Sequence, residues 1–429
     1  MKIIKPAYNF DDFNQDNNND IKIKKFEPTT KRKTFHEIIR PMLTMAQCFG
    51  LLPVMGIRSA TPKDLTFTFV SFRILQCIII LIGIIALGAT NFMQLLTDGY
   101  TFSLLTVLLY IKLAYYWPKL MQEWALIEYH MSVYPPSFNL YRRFYIIATI
   151  ILTLAALEHA LSICSSIVSI GTCFSHGSDL QAYFEIRFVQ VFNRTPFAYW
   201  KGILCHVINF VATFAWSFID VFLIMMSLGL TELFQRITLK IKNIHLQRTH
   251  ESIWRNIRED FNKVTSLCRL TNDTISDLVL LSYTNNLWFI CAQILHSISP
   301  MKHITDVIYF FYSMLFLVAR TLFLTLMISK VHESSRNPLQ YLYQVPGCSY
   351  CLEIGRFIQQ ITAEIIALTG MNFFAVRKEM VLSVAGTIIT YELVLIQFNA
   401  QDGDENVIPP AYNISDTIIL PPCTKYLDN

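Results

Sequence analysis

The stretch VLSVAGTIITYELVLIQF, residues 381–398, is almost wholly apolar and carries one charge, Glu392. A carboxylate at the bilayer centre costs roughly 2.5–3.5 kcal/mol on insertion scales, so a segment built for lipid that keeps one needs a compensating role. The rest of the chain has the same character. It is 53% hydrophobic and 15% charged over 429 residues, whereas soluble domains carry about 25% charged residues. The mean hydropathy of +0.40 agrees. These values predict an all-α, polytopic membrane protein.

A span needs about 20 mainly apolar residues. Seven stretches qualify: about 67–89, 102–117, 144–170, 203–228, 275–298, 307–328 and 381–398. PMLTMAQCFGLLPVMGI (41–57) is broken by Gly50 and Pro53 and flanked by Arg40 and Arg58, which predicts a helix lying at the interface. ITAEIIALTGMNFFAV (361–376) is short, carries Glu364 and Gly370, and reads as an amphipathic lead-in to the last span.

Orientation follows from Lys and Arg. Alternate connections hold 27 of them against 5, with three more inside the spans. That asymmetry predicts a cytoplasmic N-terminus and, after seven crossings, an extracellular C-terminus, the reverse of a G-protein-coupled receptor. In this topology Asn193-Arg-Thr195 and Asn413-Ile-Ser415 are glycosylation acceptors facing outside, and Asn272-Asp-Thr274 faces inside.

The expected organisation is a disordered cytoplasmic N-terminus (1–34), a pre-span helical segment (35–66), helices one to four (67–228) and cytoplasmic helical extensions (229–274). Helices five and six (275–328), a cytoplasmic anchor region (329–380), the seventh helix (381–398) and an extracellular tail (399–429) complete it. In the extensions, Ile237, Ile241, Ile244, Ile253, Ile257, Phe261 and Val264 recur at helical spacing; they suit either subunit packing or a solvated hairpin. No secretory signal is visible, so the first span is expected to direct insertion.

Several spans carry polar residues on one face. His206, Asn209, Thr213, Trp216 and Asp220 follow one another at steps of three and four on the fourth span. Ser282, Asn286, Gln293 and Ser297 do so on the fifth, and Asp306, Tyr309, Ser313, Phe316 and Arg320 on the sixth. Glu158, Ser162 and Ser165 align on the third, with His159 beside them. Interhelical hydrogen bonds of about 0.6 kcal/mol each account for the serines and Thr213. Glu158, Asp220 and Arg320 need more, because ionisable groups inside a membrane face a cavity or a partner. Two readings stand open: a structural ion pair of Arg320 with Asp220 or Glu158, and a wet cavity whose carboxylates, amides and aromatic rings hold a hydroxyl-rich ligand. The candidate ligand set is Glu158, His159, Asn209, Thr213, Trp216, Asp220, Asn286, Gln293, Tyr309, Ser313 and Arg320.

Other chemistry is excluded or weak. No cluster has zinc spacing, and no metal or cofactor is expected. The ten cysteines are scattered, and Cys348-Ser-Tyr-Cys351 is a lone C-x-x-C. G-x-S-x-G, P-loop and dinucleotide-binding patterns are absent, and His36-Glu37-Ile38-Ile39-Arg40 fails H-E-x-x-H at its last position, so no enzyme is predicted. The basic residues sit where the positive-inside rule puts them and do not point to nucleic acid.

On the final span Thr390, Val394 and Gln397 share a face, with Tyr391, Leu395 and Phe398 on the adjacent one. A polar line beside a bulky apolar line suits a gated pore wall; an ordinary packing helix would look the same. Thr390-Tyr391, five residues, then Gln397-Phe398 resembles the C-terminal signature of the insect gustatory receptor family. FHEIIRPMLTMAQCFGLLPVMGI (35–57), Glu158-His159, NNLWFIC (285–291) and GTIITYELVLIQF (386–398) are similar to its sugar-sensing branch. The resemblance implies a sugar-gated, non-selective cation channel passing monovalent and divalent cations. It further implies a homo- or hetero-tetramer whose seventh helices line a central pore in membrane lipid. By it, Gln397 and Phe398 form or flank the gate, with Thr390, Tyr391 and Val394 on the same helix. A mono- or disaccharide would bind in an outward-opening cavity of each subunit.

Overall fold

In a computed structural model of the chain, the described residues are 33–88, 100–136, 138–171, 179–297 and 303–402. They are almost entirely helical, with a single two-stranded hairpin. The expectations for residues 1–32, for Asn413 and for the tail beyond 402 lie outside them.

The long helices are α2 (Phe72–Gly88), α3 (Tyr100–His130), α4 (Leu140–Gly171), α7 (Tyr199–Ile244), α8 (Glu251–His296), α9 (Ile304–Arg336) and α12 (Glu379–Asp402). Shorter helices are α1 (Phe35–Cys48), α5 (Asp179–Arg187), α6 (Val189–Phe192), α10 (Pro338–Leu342) and α11 (Leu352–Ala363). Four of them (α4, α7, α8 and α9) are long and apolar enough to cross a membrane, and α2 and α12 are shorter apolar helices. The apolar stretch expected at 102–117 lies inside α3, which continues through Pro118 to His130. Only 11% of the most apolar window of α4 is buried within the chain, so the remainder of that surface requires lipid or another subunit.

Helix α7 forms the centre. From Ser217 to Phe234 every residue is buried, as befits a helix that is apolar on all sides. It packs against α3, α4, α8 and α9. At about 1.5 Å per residue, its 46 residues span about 70 Å. The same rise carries α7 and α8 beyond the apolar zone as one continuous pair. There Ile237, Ile241, Ile257, Phe261 and Val264 are buried while Ile253 is 37% exposed. The amphipathic pattern of this pair therefore closes on the chain itself, around Phe234, Phe261 and Phe357.

Helix α1 begins in a capping box. Thr34 Oγ1 accepts the Glu37 N–H at 3.2 Å, and the Glu37 carboxylate accepts the Thr34 N–H at 3.1 Å. Such a cap is worth about 1 kcal/mol. The apolar face of α1 meets protein: Phe35 stacks on Trp124 at 4.2 Å, and Ile39, Leu43 and Ala46 are fully buried. The chain then turns through Gly50 at φ +70°, where a Cβ would lie 2.2 Å from Ile80 Cδ1. Residues 361–376, expected as a lead-in helix, divide between the end of α11 and the hairpin β1 (Thr369–Gly370) and β2 (Phe374–Ala375). Asn272 holds that hairpin, its Oδ1 accepting the Thr369 N–H at 2.7 Å.

Candidate functional site

Three polar clusters lie among α4, α5, α7, α8 and α9, and one of them borders a small cavity. The deepest centres on Asp220, which is 1% exposed. Its Oδ1 accepts the Ser282 hydroxyl at 2.5 Å and its Oδ2 accepts the Asn286 amide at 3.1 Å. Arg320 Nε lies 3.0 Å from the same Oδ2 as an ion pair. The guanidinium also donates to Ser217 Oγ at 3.3 Å and to Asn286 Oδ1 at 3.1 Å. It sits against the rings of Trp216 and Phe316, 5.3 and 5.5 Å from their centroids. Trp216 is held in turn by Phe289, 4.5 Å away. Of the two readings open for these residues, the geometry has the features of the ion pair: the carboxylate and the guanidinium face each other at 3.0 Å.

The second cluster joins three helices through one hydroxyl. Ser313 of α9 donates to Glu158 Oε1 of α4 at 2.5 Å and accepts the Gln293 Nε2 amide of α8 at 2.8 Å. The Tyr309 hydroxyl interacts with Ser162 and Ser313 one turn further out. At the end of α9, Asp306 accepts from Ser165 at 2.5 Å and from Ser169. Gln293 Oε1 has no hydrogen-bond partner among the described residues.

The third cluster surrounds a cavity with about 190 Å³ of free space including its mouth. Its walls are His159, Ser162, Ile163 and Ser166 of α4, Tyr183 and Arg187 of α5, and His206 and Asn209 of α7. Its enclosed volume is about 10 Å³, room for about one water molecule and far below the roughly 300–1,000 Å³ usual for small-molecule sites. His159 Nε2 and His206 Nδ1 are buried there without a hydrogen-bond partner among the described residues. The two rings are 6.0 Å apart, and His159 lies against Phe210 at 5.2 Å. Asn209 Oδ1 accepts the Tyr100 hydroxyl at 3.3 Å, and Thr213 is turned back onto the Asn209 carbonyl. A wall of imidazole, hydroxyl, amide and guanidinium with aromatic neighbours can hydrogen-bond a ligand rich in hydroxyls.

Of the sequence candidates, His159 and Asn209 reach the cavity; Glu158, Gln293, Tyr309 and Ser313 form its neighbouring network. Thr213, Trp216, Asp220, Asn286 and Arg320 lie deeper, away from the free space. Sequence reasoning missed Tyr183 and Arg187. They stand on a nine-residue helix between spans, where no apolar periodicity singles them out. His206 and Ser162 were on the polar stripes.

On α12, Thr390, Val394 and Gln397 are exposed within the single chain and Tyr391 packs on Ile290, Ile294 and Leu317. The side chain of Phe398 lies outside the described residues. Asn193, just after α6, is exposed. Among the described residues no three His, Cys, Asp or Glu side chains are placed to hold a metal, and Cys348 and Cys351 are unpaired.

A family model described as Trehalose receptor matches residues 15–406. Among curated relatives in Drosophila melanogaster, gustatory receptor for sugar taste 64f is 33% identical over 390 residues, covering 86% of this chain and 82% of that receptor. Gustatory receptor 5a for trehalose is 32% identical, covering 85% of each. Among solved structures, the olfactory receptor OR5 of Machilis hrabei in complex with eugenol superposes with a TM-score of 0.58 at 16% identity. It covers 85% of this chain and 98% of that one; its likeness is one of fold. With apolar helices, this fold and these relatives, the chain is a multi-pass plasma-membrane protein, and it belongs to the trehalose-receptor family, the sugar branch of the insect gustatory receptors.

Proposed function

We propose that the chain is a subunit of a sugar-gated, non-selective cation channel in taste neurons. It crosses the membrane seven times, with the N-terminus in the cytoplasm, and assembles as a tetramer around α12. The observation that carries the channel reading is the one-sided burial of α12. Among its described residues only Val384 is fully buried, while Leu382, Ile389, Thr390, Val394 and Gln397 are exposed. A helix this apolar cannot leave that surface in water, so another subunit, lipid or a pore must meet it. Thr390 and Gln397 then line a hydrated path beside Val394 and Tyr391, and Phe398 closes the apolar side.

The sugar reading is supported by relatives named for sugar taste and for trehalose. The ligand is a mono- or disaccharide held at His159, His206, Asn209 and Arg187, with Glu158, Tyr309, Ser313 and Gln293 behind them. In the proposed orientation the cavity opens outward and Asn193 is open to glycosylation. Expression of the chain alone and with sister receptors, a sugar panel and electrical recording test this. Sugar-evoked cation currents that persist in excised patches without nucleotide are expected. Currents that require nucleotide, or sugar uptake without current, would reject it.

A further inference from the structure

The described face of α1, the loop after it and the first turn of α4 gathers five cations. Lys33 Nζ sits 3.9 Å from the centre of the Tyr141 ring. Tyr141 lies 4.5 Å from Tyr145, whose hydroxyl donates to the Ile38 carbonyl at 3.4 Å and so ties α4 to α1. Arg40, two residues further along α1, reaches the Arg58 carbonyl at 3.3 Å. Arg143 covers the Phe138 ring at 4.2 Å, and Arg142 is its neighbour. Lys33, Arg58, Arg142 and Arg143 are exposed. None of the five has a carboxylate partner among the described residues. The one acid in the same stretch of α1, Glu37, is engaged with the Thr34 backbone in the capping box.

Exposed cations gathered beside rings without a counter-charge attract anions, and arginine forks match phosphate oxygens in pairs. The location selects the anion. Arg142 and Arg143 immediately precede Phe144, where the apolar run of α4 begins. A cationic strip at the start of an apolar helix that buries little of its surface within the chain fits the boundary between acyl chains and headgroups.

We propose that Lys33, Arg40, Arg58, Arg142 and Arg143 form a binding site for an inner-leaflet phosphoinositide, with the phosphomonoesters on the cations and the rings of Phe138 and Tyr141 at headgroup depth. The proposal rests on the cytoplasmic placement of α1 and not on the sugar or channel reading. The positive-inside rule accounts for basic residues on this side of the membrane; it does not account for their convergence from three segments onto one strip.

The test uses the full-length receptor in detergent, titrated with fluorescent short-chain phosphatidylinositol bisphosphate and with short-chain phosphatidylcholine. Saturable binding of the first and none of the second is expected. The combined variant Lys33→Gln, Arg142→Gln, Arg143→Gln should bind about 100-fold more weakly, at about fivefold per cation. A control with equal charge loss elsewhere on the cytoplasmic side, Lys240→Gln, Lys242→Gln, Arg248→Gln, should bind as the wild type does. Size-exclusion profiles confirm that each variant remains monodisperse, and Arg143→Lys should retain most of the affinity if the triple variant fails that criterion. An equal loss in the control would overturn the site in favour of diffuse attraction. Equal affinity for soluble inositol trisphosphate and the lipid would overturn the lipid assignment.

Discussion

Replacing Arg320 with Met asks whether the deepest polar cluster is a strut or part of the ligand path. The substitution keeps a long unbranched side chain and removes the charge. It abolishes the ion pair to Asp220 at 3.0 Å, the donors to Ser217 at 3.3 Å and Asn286 at 3.1 Å, and the contact of the cation with Trp216. Removing one partner of a buried pair costs about 3–5 kcal/mol. Asp220 would retain Ser282 and Asn286 as donors, which places the expected loss at the lower end, about 3 kcal/mol, or a factor of about 150 in the folded-to-unfolded ratio. Asp220→Leu alone should cost a similar amount by stranding Arg320. The double variant, with both charges gone and the volume kept, should recover most of the stability, because apolar replacement of a whole buried pair is often neutral. The assay is monodisperse receptor remaining after heating in detergent, followed by a sugar dose-response for the double variant. Single variants as stable as the wild type, or a double variant no better than the sum of its parents, would refute the strut. A well-folded double variant with a tenfold shift in half-maximal sugar concentration would put the pair in contact with ligand.

Asn209→Ala and His206→Ala should each raise the half-maximal sugar concentration about 5- to 30-fold, as expected for losing one or two hydrogen bonds to a ligand, with surface labelling unchanged; an unaltered dose-response would remove the cavity from sugar recognition. Gln397→Ala should change basal leak or gating kinetics more than sugar affinity, read by current recording. Gly229→Ala would place a Cβ 2.6 Å from Phe35 and 2.7 Å from Trp124, and should lower stability by about 1–3 kcal/mol through overpacking; a heat-stability profile checks it. Glu128, at the end of α3 beyond its apolar part, accepts the Phe35 N–H with both carboxylate oxygens, and burial pushes its carboxyl up to about 7. A raised carboxyl favours the protonated folded form, so its contribution is present at low pH and is lost as pH rises from about 4.5 through about 7. Glu128→Gln should flatten that part of the stability–pH curve.

Much of the fold was legible because each long apolar run in lipid has one backbone solution, a helix that satisfies its own hydrogen bonds. The 3–4 spacing also placed Asp220, Asn286 and Arg320 correctly on facing surfaces, and left open whether they pair or bind. Distance adds what spacing cannot: the Arg320 and Asp220 charges face each other 3.0 Å apart. The placement of α1 was not legible. A helix with one apolar face has the same periodicity whether that face meets lipid or Trp124. The length of α3 was hidden for a similar reason, since Pro118 and the polar residues after Trp117 mimic an end while Leu120, Met121 and Trp124 still face the core. Tyr183 and Arg187 reach the cavity through a tertiary fold-back that no local pattern encodes.

The unbroken run of α7 has a mechanical consequence. A continuous helix clamped at Asp220 by Arg320, Ser282 and Asn286 can act as a lever with a fulcrum. Its outer arm, from His206 to the clamp, is about 21 Å, and its inner arm, from the clamp to Ile244, is about 36 Å. A displacement of about 1 Å at the outer end would therefore emerge as about 1.7 Å at the inner end, in the opposite direction, with no bending of the shaft.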